Sequence, residues 1–460
     1  MSRSHKSVIG VVRKSLRGIG GIESVTSNLV EFALMKGHHV VSLTSDHPPK
    51  RLVDLGLEPV MEPKIGITIE TVAKYVRQGT LTGALVEAMA STLRLAVESF
   101  VERVSSGEKG VIFYPNFRRL YALPLTSVLV DLCRLRKIPI VAREGGYLAG
   151  PWERAMLAVA HRIIVPCRPC KSDYASNGVE AGTVVVVRNG IPGRFFDGSD
   201  RVDKARRPMV LFPGRIASQY TGTNWKKGIE DCLIALPTIA HDFPSVQLVF
   251  AGNDPTIGRR VAQARSAIIN KARALGVASH VKFLPAEQCR YSEMHHAYAS
   301  ASVVLCPPRY REPYCNIVWE GMASQKSVVT TRLVGSIQEV SHPEDVLRSK
   351  SDLAAHQPFV LIPPERPDLI AHAIRCLLRD PELGLRIGHN GRKLAGQRSI
   401  ARFAALTLQV LDEVRYAPLA LSCLADKILL LWQQHRAGDT ARLTTRRTLS
   451  VHFRYAEGTG

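Results

Sequence analysis

The feature that most constrains the fold of this 460-residue chain is a repeated order of short buried strand, loop and amphipathic helix. Residues 7–12 (SVIGVV) form a continuous, largely β-branched run, residues 22–35 carry apolar side chains at helical spacing, and residues 39–44 form a second such run. Continuous apolar runs of this length are typical of parallel strands covered by helices on both faces. This unit therefore predicts a parallel sheet with right-handed crossovers.

The same alternation continues along the chain and restarts once. Further strands are predicted at 111–114, 139–142, 161–165 and 183–187, and after the restart at 209–212, 246–250, 281–284, 302–305 and 327–330. Between them, residues 193–208 are polar, charged and without periodicity, which is typical of an interdomain linker. The sequence therefore predicts an α/β protein with two doubly wound, Rossmann-like domains over 1–192 and 209–400, followed by a helical segment over 401–460.

The net charge of the chain favours anionic partners but does not identify which class of partner it binds. The chain has 61 Lys and Arg residues against 40 Asp and Glu residues, a formal net charge of +21, which favours phosphorylated small molecules, anionic lipid surfaces or nucleic acid. Because the basic residues are dispersed and no zinc-finger or aromatic RNA-binding motif occurs, nucleic-acid binding is an alternative that rests on charge alone. The sequence contains no apolar run long enough for a signal peptide or membrane span, and its nine cysteines are scattered. These features predict a cytoplasmic protein.

One candidate site follows the first strand of each predicted domain. This is the edge at which doubly wound sheets bind ligands. Gly20 and Gly21 open a helix, where the backbone can approach a ligand closely; a simple tight turn is the alternative. Arg215 and Lys227 flank one loop in the second domain. A guanidinium and an ammonium group beside a helix start can clamp a diphosphate, whereas a solvated basic loop is the alternative.

The strongest motif is the stretch EPYCNIVWE, which begins at Glu312 and ends at Glu320. It brackets a loop-to-helix transition with two carboxylates. We expect the first backbone N–H groups of that helix, near Cys315, Asn316 and Ile317, to hold a phosphate. Glu320 is expected to accept hydrogen bonds from ribose hydroxyls, and Glu312 to face a sugar or the reacting centre.

Together these motifs resemble family 4 of the retaining glycosyltransferases (glycosyl transferases group 1), which have the GT-B fold and an E-x7-E motif. The family pattern E-x-F-G-x4-E-A-M-A stands here as E-P-Y-C-N-I-V-W-E-G-M-A. The family arginine and Lys-Gly pair match Arg215 and Lys227-Gly228, and its glycine loop matches Gly20-Gly21. The resemblance covers about residues 7–400 in the family's order. It implies two Rossmann-like domains that face a cleft, with a C-terminal helical segment that crosses back to the first domain.

The resemblance also implies a function: transfer of a sugar, with retention, from a UDP-, GDP- or ADP-sugar to an acceptor hydroxyl in polysaccharide or glycolipid assembly. Arg215 and Lys227 would hold the diphosphate, Glu320 the ribose, and Glu312 would face the donor sugar. A carbohydrate or lipid-linked acceptor would lie near the N-terminal glycine loop. No metal or other cofactor is expected, because basic side chains and helix dipoles supply positive charge. Epimerisation or non-catalytic binding on the same fold is the alternative.

Three features depart from the family pattern or remain open. Family members often carry a histidine after the strand at 139–142, where this chain has Arg143 and Glu144, so either of these is a candidate for the same role. Cys315 replaces a small glycine. Residues 425–436 form an amphipathic pattern that is predicted to pack on the first domain; peripheral attachment to an anionic membrane at its inner face is the alternative.

Overall fold

The computed structural model describes residues 7–434, apart from 17–20, 107–108, 149, 198–206, 217–219, 222–223, 226, 253–257, 352 and 415–426. The strands of the first half are β1 (Val8–Val12), β2 (His39–Thr44), β3 (Glu58–Met61), β4 (Gly110–Pro115), β5 (Ile140–Arg143), β6 (Arg162–Val165) and β7 (Val184–Val186). They form one parallel sheet in the order β3-β2-β1-β4-β5-β6-β7.

A second parallel sheet follows. Its strands are β8 (Met209–Phe212), β11 (Gln247–Phe250), β12 (Val281–Phe283), β13 (Val303–Cys306), β14 (Ser327–Thr331) and β15 (Val360–Ile362). Their order is β12-β11-β8-β13-β14-β15, and a separate hairpin joins β9 (Tyr220–Thr221) to β10 (Asn224–Trp225).

Helices cover both faces of each sheet. In the first half they are α1 (Gly21–Met35), α2 (Lys50–Asp54), α3 (Lys64–Gln78), α4 (Gly83–Ser105), α5 (Leu123–Arg136), α6 (Pro151–Leu157) and α7 (Arg168–Ser176). In the second half they are α8 (Ile229–Asp242), α9 (Gly258–Ala274), α10 (Met294–Ser300), α11 (Asn316–Ala323), α12 (Gly335–Gln338), α13 (Pro367–Arg379), α14 (Pro381–Ala395) and α15 (Ile400–Glu413).

Strand β1 shows why the apolar runs are continuous. Its side chains alternate between two cores: Val8 and Val12 enter one, and Ile9 and Val11 enter the other. Because both faces of the strand are buried, every position is apolar rather than every second one. The predicted α/β class is confirmed, and each predicted strand is present with its bounds shifted by no more than two residues.

The edge strands β3 and β15 were not predicted. The start of the predicted linker also has regular structure that its sequence did not indicate. Residues Gly193–Phe195 form a turn of 3-10 helix, and the side chain of Phe195 is buried in a core of the second half. The apolar pair of Phe195 and Phe196 anchors this segment, although the surrounding residues are polar. The remainder of the predicted linker, 198–206, lies outside the described residues.

The C-terminal part of the chain returns to the first half. Helix α15 packs against α1, and Phe403, Leu408 and Leu411 complete the core on one face of the first sheet. A further helical segment over 427–434 places Ile428, Leu429 and Trp432 in the core on the other face. The amphipathic pattern is therefore used for packing. No helix in the described part of the chain is long and apolar enough to cross a membrane.

We expect Phe403→Ala to lower the free energy of unfolding by about 3–5 kcal/mol, because it removes a large buried ring and leaves a cavity between α15 and the first sheet. Urea denaturation measures this difference. Leu406→Ala on the same helix is the matched control; Leu406 is 40% exposed, so its substitution should change stability by less than about 0.5 kcal/mol. Equal effects of the two substitutions would contradict the packing described for α15.

Candidate functional site

The centre of the site is an ion pair between Lys227 and Glu312. Nζ of Lys227 lies 3.7 Å from Oε2 of Glu312, and both side chains are largely buried. The backbone that follows Lys227 lies directly against Pro307: Gly228 has a φ of +74°, and a Cβ at this position would overlap the Pro307 carbonyl oxygen. Burial lowers the pKa of the Lys227 amine, but Glu312 and neighbouring ionisable groups outweigh it and raise the pKa above its ordinary value, so the amine is charged.

The main chain of Glu312 is fixed by the segment that follows β14. Its N–H donates to the Leu333 carbonyl at 2.9 Å, and its own carbonyl accepts from the Gly335 N–H at 2.7 Å. The Tyr310 hydroxyl donates to the Glu312 carboxylate. Glu312 is therefore held at both the main chain and the side chain, and its carboxylate is the fixed partner of Lys227.

The start of α11 lies beside this pair. Cys315, the residue before the helix, has φ +58°, a left-handed conformation that glycine adopts at no steric cost. Its Sγ lies 3.6 Å from Sγ of Cys306. The hydrogen bond with Cys306 and burial raise the pKa of the Cys315 thiol well above its ordinary value. The side chain of Cys315 makes no capping hydrogen bond, and among the described residues none caps α11, so the first N–H groups of the helix can bind an anion.

Arg215 lies in the loop that reaches the same helix start. A Cβ on the neighbouring Gly214 would lie 3.4 Å from Cδ1 of Ile317, so this loop and the first turn of α11 are in contact. The Arg215 side chain is exposed. The structure thus places Lys227 and the loop that carries Arg215 at the start of α11. Cationic side chains and a helix N-terminus are groups that can bind a phosphate or diphosphate.

Glu320 lies on α11 and is buried. Its two carboxylate oxygens accept separate hydrogen bonds, Oε1 from the Tyr291 hydroxyl at 3.1 Å and Oε2 from the Tyr298 hydroxyl at 2.8 Å. Burial raises the pKa of the Glu320 carboxyl, and the two tyrosine hydrogen bonds oppose that shift, as do the charges of Arg194 and Lys227. The sequence analysis identified Glu320 but missed both tyrosines, because neither belongs to a motif.

The first half of the chain contributes to the site through Asn189, which follows β7. Its side-chain amide donates to Oδ1 of Asn316 at 2.8 Å, and its carbonyl accepts from the Tyr314 hydroxyl at 2.9 Å. Nearby, the buried carboxylate of Glu339 accepts from Nε of Arg188 at 2.8 Å and from a backbone N–H of the first half. These contacts fix α11 and α12 relative to the first half of the chain.

Arg143 and Glu144, the candidates for the role of the family histidine, are both buried. The guanidinium of Arg143 is buried, bonded to Asn189 and positioned over the Phe403 ring at 5.2 Å. Glu144 has no exposed surface and accepts two hydrogen bonds from Arg118, whose guanidinium also pairs with Glu153. Both side chains are therefore committed to internal partners.

The other predicted residues are distributed as follows. Gly20 lies outside the described residues, and Gly21 begins α1 after β1, at the carboxyl edge of the first sheet. Cys167 and Cys170 lie 3.4 Å apart at the start of α7, and the Cys167 thiol donates to the Pro313 carbonyl. Within the described ranges, no group of three or more His, Cys, Asp or Glu residues is arranged to hold a metal ion.

Comparisons with known proteins find similar sequences and similar folds. Residues 203–394 match the family model of glycosyl transferases group 1. The chain is 28% identical over 319 residues to the alpha-maltose-1-phosphate synthase of Mycobacterium tuberculosis. The aligned region covers 64% of this chain and 74% of that protein.

Two solved structures share the fold along most of the chain. A glycosyltransferase from Rickettsia africae superposes with a TM-score of 0.66 at 12% identity, covering 89% of this chain and 98% of that chain. HepE of Anabaena, solved in complex with UDP and glucose, gives a TM-score of 0.63 at 15% identity, covering 89% and 100%. Residues 203–394 therefore match a glycosyl transferases group 1 domain, and the chain shares the GT-B fold of these solved glycosyltransferases.

We expect Glu144→Gln to destabilise the protein by about 3 kcal/mol at pH 8, because it leaves Arg118 as an incompletely compensated buried charge. Nucleotide binding should not change, since Glu144 is fully buried and bonded to Arg118. The matched control is Glu98→Gln, which breaks an exposed pair with Arg94 on α4 and should cost less than about 0.5 kcal/mol. A variant with normal stability but lost nucleotide binding would instead place Glu144 in the ligand site.

Proposed function

We propose that the protein is a retaining glycosyltransferase of family 4 that transfers a sugar from a nucleoside diphosphate sugar to an acceptor hydroxyl. The observation that carries this proposal is the placement of the Lys227–Glu312 pair against the uncapped start of α11. This arrangement offers positive charge and N–H donors for a diphosphate and, immediately beside them, a carboxylate for the sugar.

Each residue has a defined part in the proposed reaction. Lys227, Arg215 and the N–H groups at Cys315, Asn316 and Ile317 bind the diphosphate and stabilise its charge as the glycosidic bond breaks. Glu320 accepts hydrogen bonds from the ribose. Because these groups already supply the positive charge, the reaction needs no metal ion.

Glu312 faces the donor sugar and keeps Lys227 in place before the donor binds. Retention follows if the acceptor attacks from the face that the diphosphate leaves, with the leaving phosphate accepting the acceptor's proton. The proton then moves directly from the acceptor hydroxyl to the leaving group, and no protein base is required. The internal hydrogen bonds of Arg143 and Glu144 are compatible with this route, because it uses only the leaving group and the residues beside the donor, Glu312 and Lys227.

The relatives support a nucleotide-sugar donor and a carbohydrate acceptor. HepE is similar in fold and was solved with UDP and glucose, and the mycobacterial relative is named for synthesis of a phosphorylated disaccharide. We therefore place UDP-sugars first among UDP-, GDP- and ADP-sugars. We propose polysaccharide or glycolipid assembly as the setting, with a carbohydrate or lipid-linked acceptor bound by the first domain near Gly21.

We also propose that the protein acts in the cytoplasm and reaches lipid-linked acceptors at the inner face of the membrane through its net charge of +21. The apolar residues Ile428, Leu429 and Trp432 do not contribute to that attachment, because they are buried in the core of the first domain. Attachment would therefore be electrostatic and would weaken as salt is added.

The first test is nucleotide binding. Calorimetry and thermal shift with UDP, GDP, ADP and their common sugar conjugates should show one preferred base for the wild type, and Arg215→Ala should weaken its binding at least tenfold, because a charge-assisted contact to the diphosphate contributes about 1.5–3 kcal/mol. Arg136→Ala, which removes an exposed arginine of α5, is the matched control and should bind as the wild type does. Equal nucleotide affinities of the two variants would show that Arg215 does not contact the nucleotide.

The second test is turnover. With a donor and acceptor in hand, Glu320→Ala and Arg215→Ala should lose almost all transfer while remaining folded, and NMR of the first-formed product should show the anomeric configuration of the donor. An inverted product would contradict the retaining assignment. Conversion of the donor sugar in the absence of any acceptor would indicate an epimerase instead.

A further inference from the structure

Two tyrosines outside every sequence motif surround the carboxylate of Glu320. Tyr298, on α10, is fully buried, and Tyr291 lies just before that helix. The Phe195 ring packs against both, with centroids 5.4 Å from Tyr298 and 5.8 Å from Tyr291. The guanidinium of Arg194 lies 4.8 Å from the centroid of the Tyr291 ring. The two hydroxyl groups are therefore held in place by a packed aromatic cluster.

We infer that Tyr298 and Tyr291 are positioning residues, which hold the Glu320 carboxylate in the orientation in which it accepts the ligand's vicinal hydroxyl groups. An ionised carboxylate has about four acceptor positions, and the tyrosines occupy one on each oxygen, leaving one on each for a diol. This inference rests on the proposed function, in which Glu320 binds the ribose.

The charges around Glu320 make ribose binding by its carboxylate dependent on pH. The groups that face its carboxylate are Tyr298, Tyr291, Arg194 and Lys227. Burial raises the pKa of this carboxyl, and each tyrosine hydroxyl lowers it by bonding to the ionised form. Removing one hydroxyl therefore raises the pKa further. A protonated carboxyl has fewer acceptor positions, so ribose binding weakens as pH falls through the raised pKa.

The test measures the affinity of Tyr298→Phe and Tyr291→Phe for whichever of UDP, GDP and ADP binds the wild type, by calorimetry between pH 6 and pH 8.5. We expect affinity to fall about tenfold near pH 6 and less at pH 8.5, because a hydrogen bond to a charged group is lost. In turnover assays the KM for the donor should rise more than kcat falls. Tyr174→Phe is the matched control: it is a buried tyrosine whose hydroxyl donates to the Gly146 carbonyl in the first domain, and it should leave the pH profile unchanged.

A double-variant comparison separates positioning from simple packing. In a Glu320→Gln background the carboxyl cannot ionise, so adding Tyr298→Phe should introduce no pH dependence. A Tyr298→Phe effect of equal size and pH dependence in both backgrounds would overturn the inference. So would wild-type affinity in both tyrosine variants when Glu320→Gln alone weakens binding.

Unfolding measurements test the same contact without any nucleotide. The native state holds the Glu320 proton to higher pH than the unfolded state, so stability falls as pH rises through the window between the two pKa values. Tyr298→Phe should extend that fall to higher pH, and Glu320→Gln should abolish the difference. If the wild type binds no nucleotide, the proposed function fails, while this measurement still decides whether the tyrosines control the carboxylate. An unchanged pH dependence of stability in Tyr298→Phe would overturn the coupling itself.

Discussion

The burial of Lys227 beside Glu312 is the interaction on which the site depends. Removing a cation and an anion from water is costly, and the pair persists because each compensates the other and because Glu312 is also fixed by Tyr310 and by the segment after β14. A bound diphosphate would compete with Glu312 for the same ammonium group. The pair therefore keeps Lys227 charged and in position before the ligand arrives, so that binding exchanges one anionic partner for another rather than ordering a free side chain.

The sequence predicted the parts of this molecule that depend on local patterns. Strands such as β1 and β13 could be recognised because sheets covered on both faces require continuous apolar runs. The loops of the candidate site could be recognised because their glycines and charges follow those strands. Edge strand β3 was missed because only Val60 of its four residues is buried. The short three-residue β15 was missed because it is too brief to give a pattern.

The hydrogen-bond partners that only the fold brings together could not be predicted. Glu320 was identified from its motif, but the hydroxyl groups that hold it come from positions 22 and 29 residues earlier on another helix and its preceding turn. Arg143 and Glu144 stand at the expected position after β5, yet Asn189 and Arg118 bind them internally. A single sequence shows that such residues are polar, not whether the neighbours they meet leave them free for a ligand.

The return of the C-terminal part to the first domain has a consequence for synthesis. The last strand of the first sheet ends at Val186, but Phe403 and Trp432, which complete the two cores around that sheet, emerge more than 200 residues later. At about 5–20 residues per second, the ribosome needs on the order of 10–40 s to bridge that gap. During this interval the C-terminal helices that bury the apolar faces of the first sheet have not yet been synthesised. The second domain, in contrast, can complete its own core. The domain that is made first is therefore the one that finishes folding last.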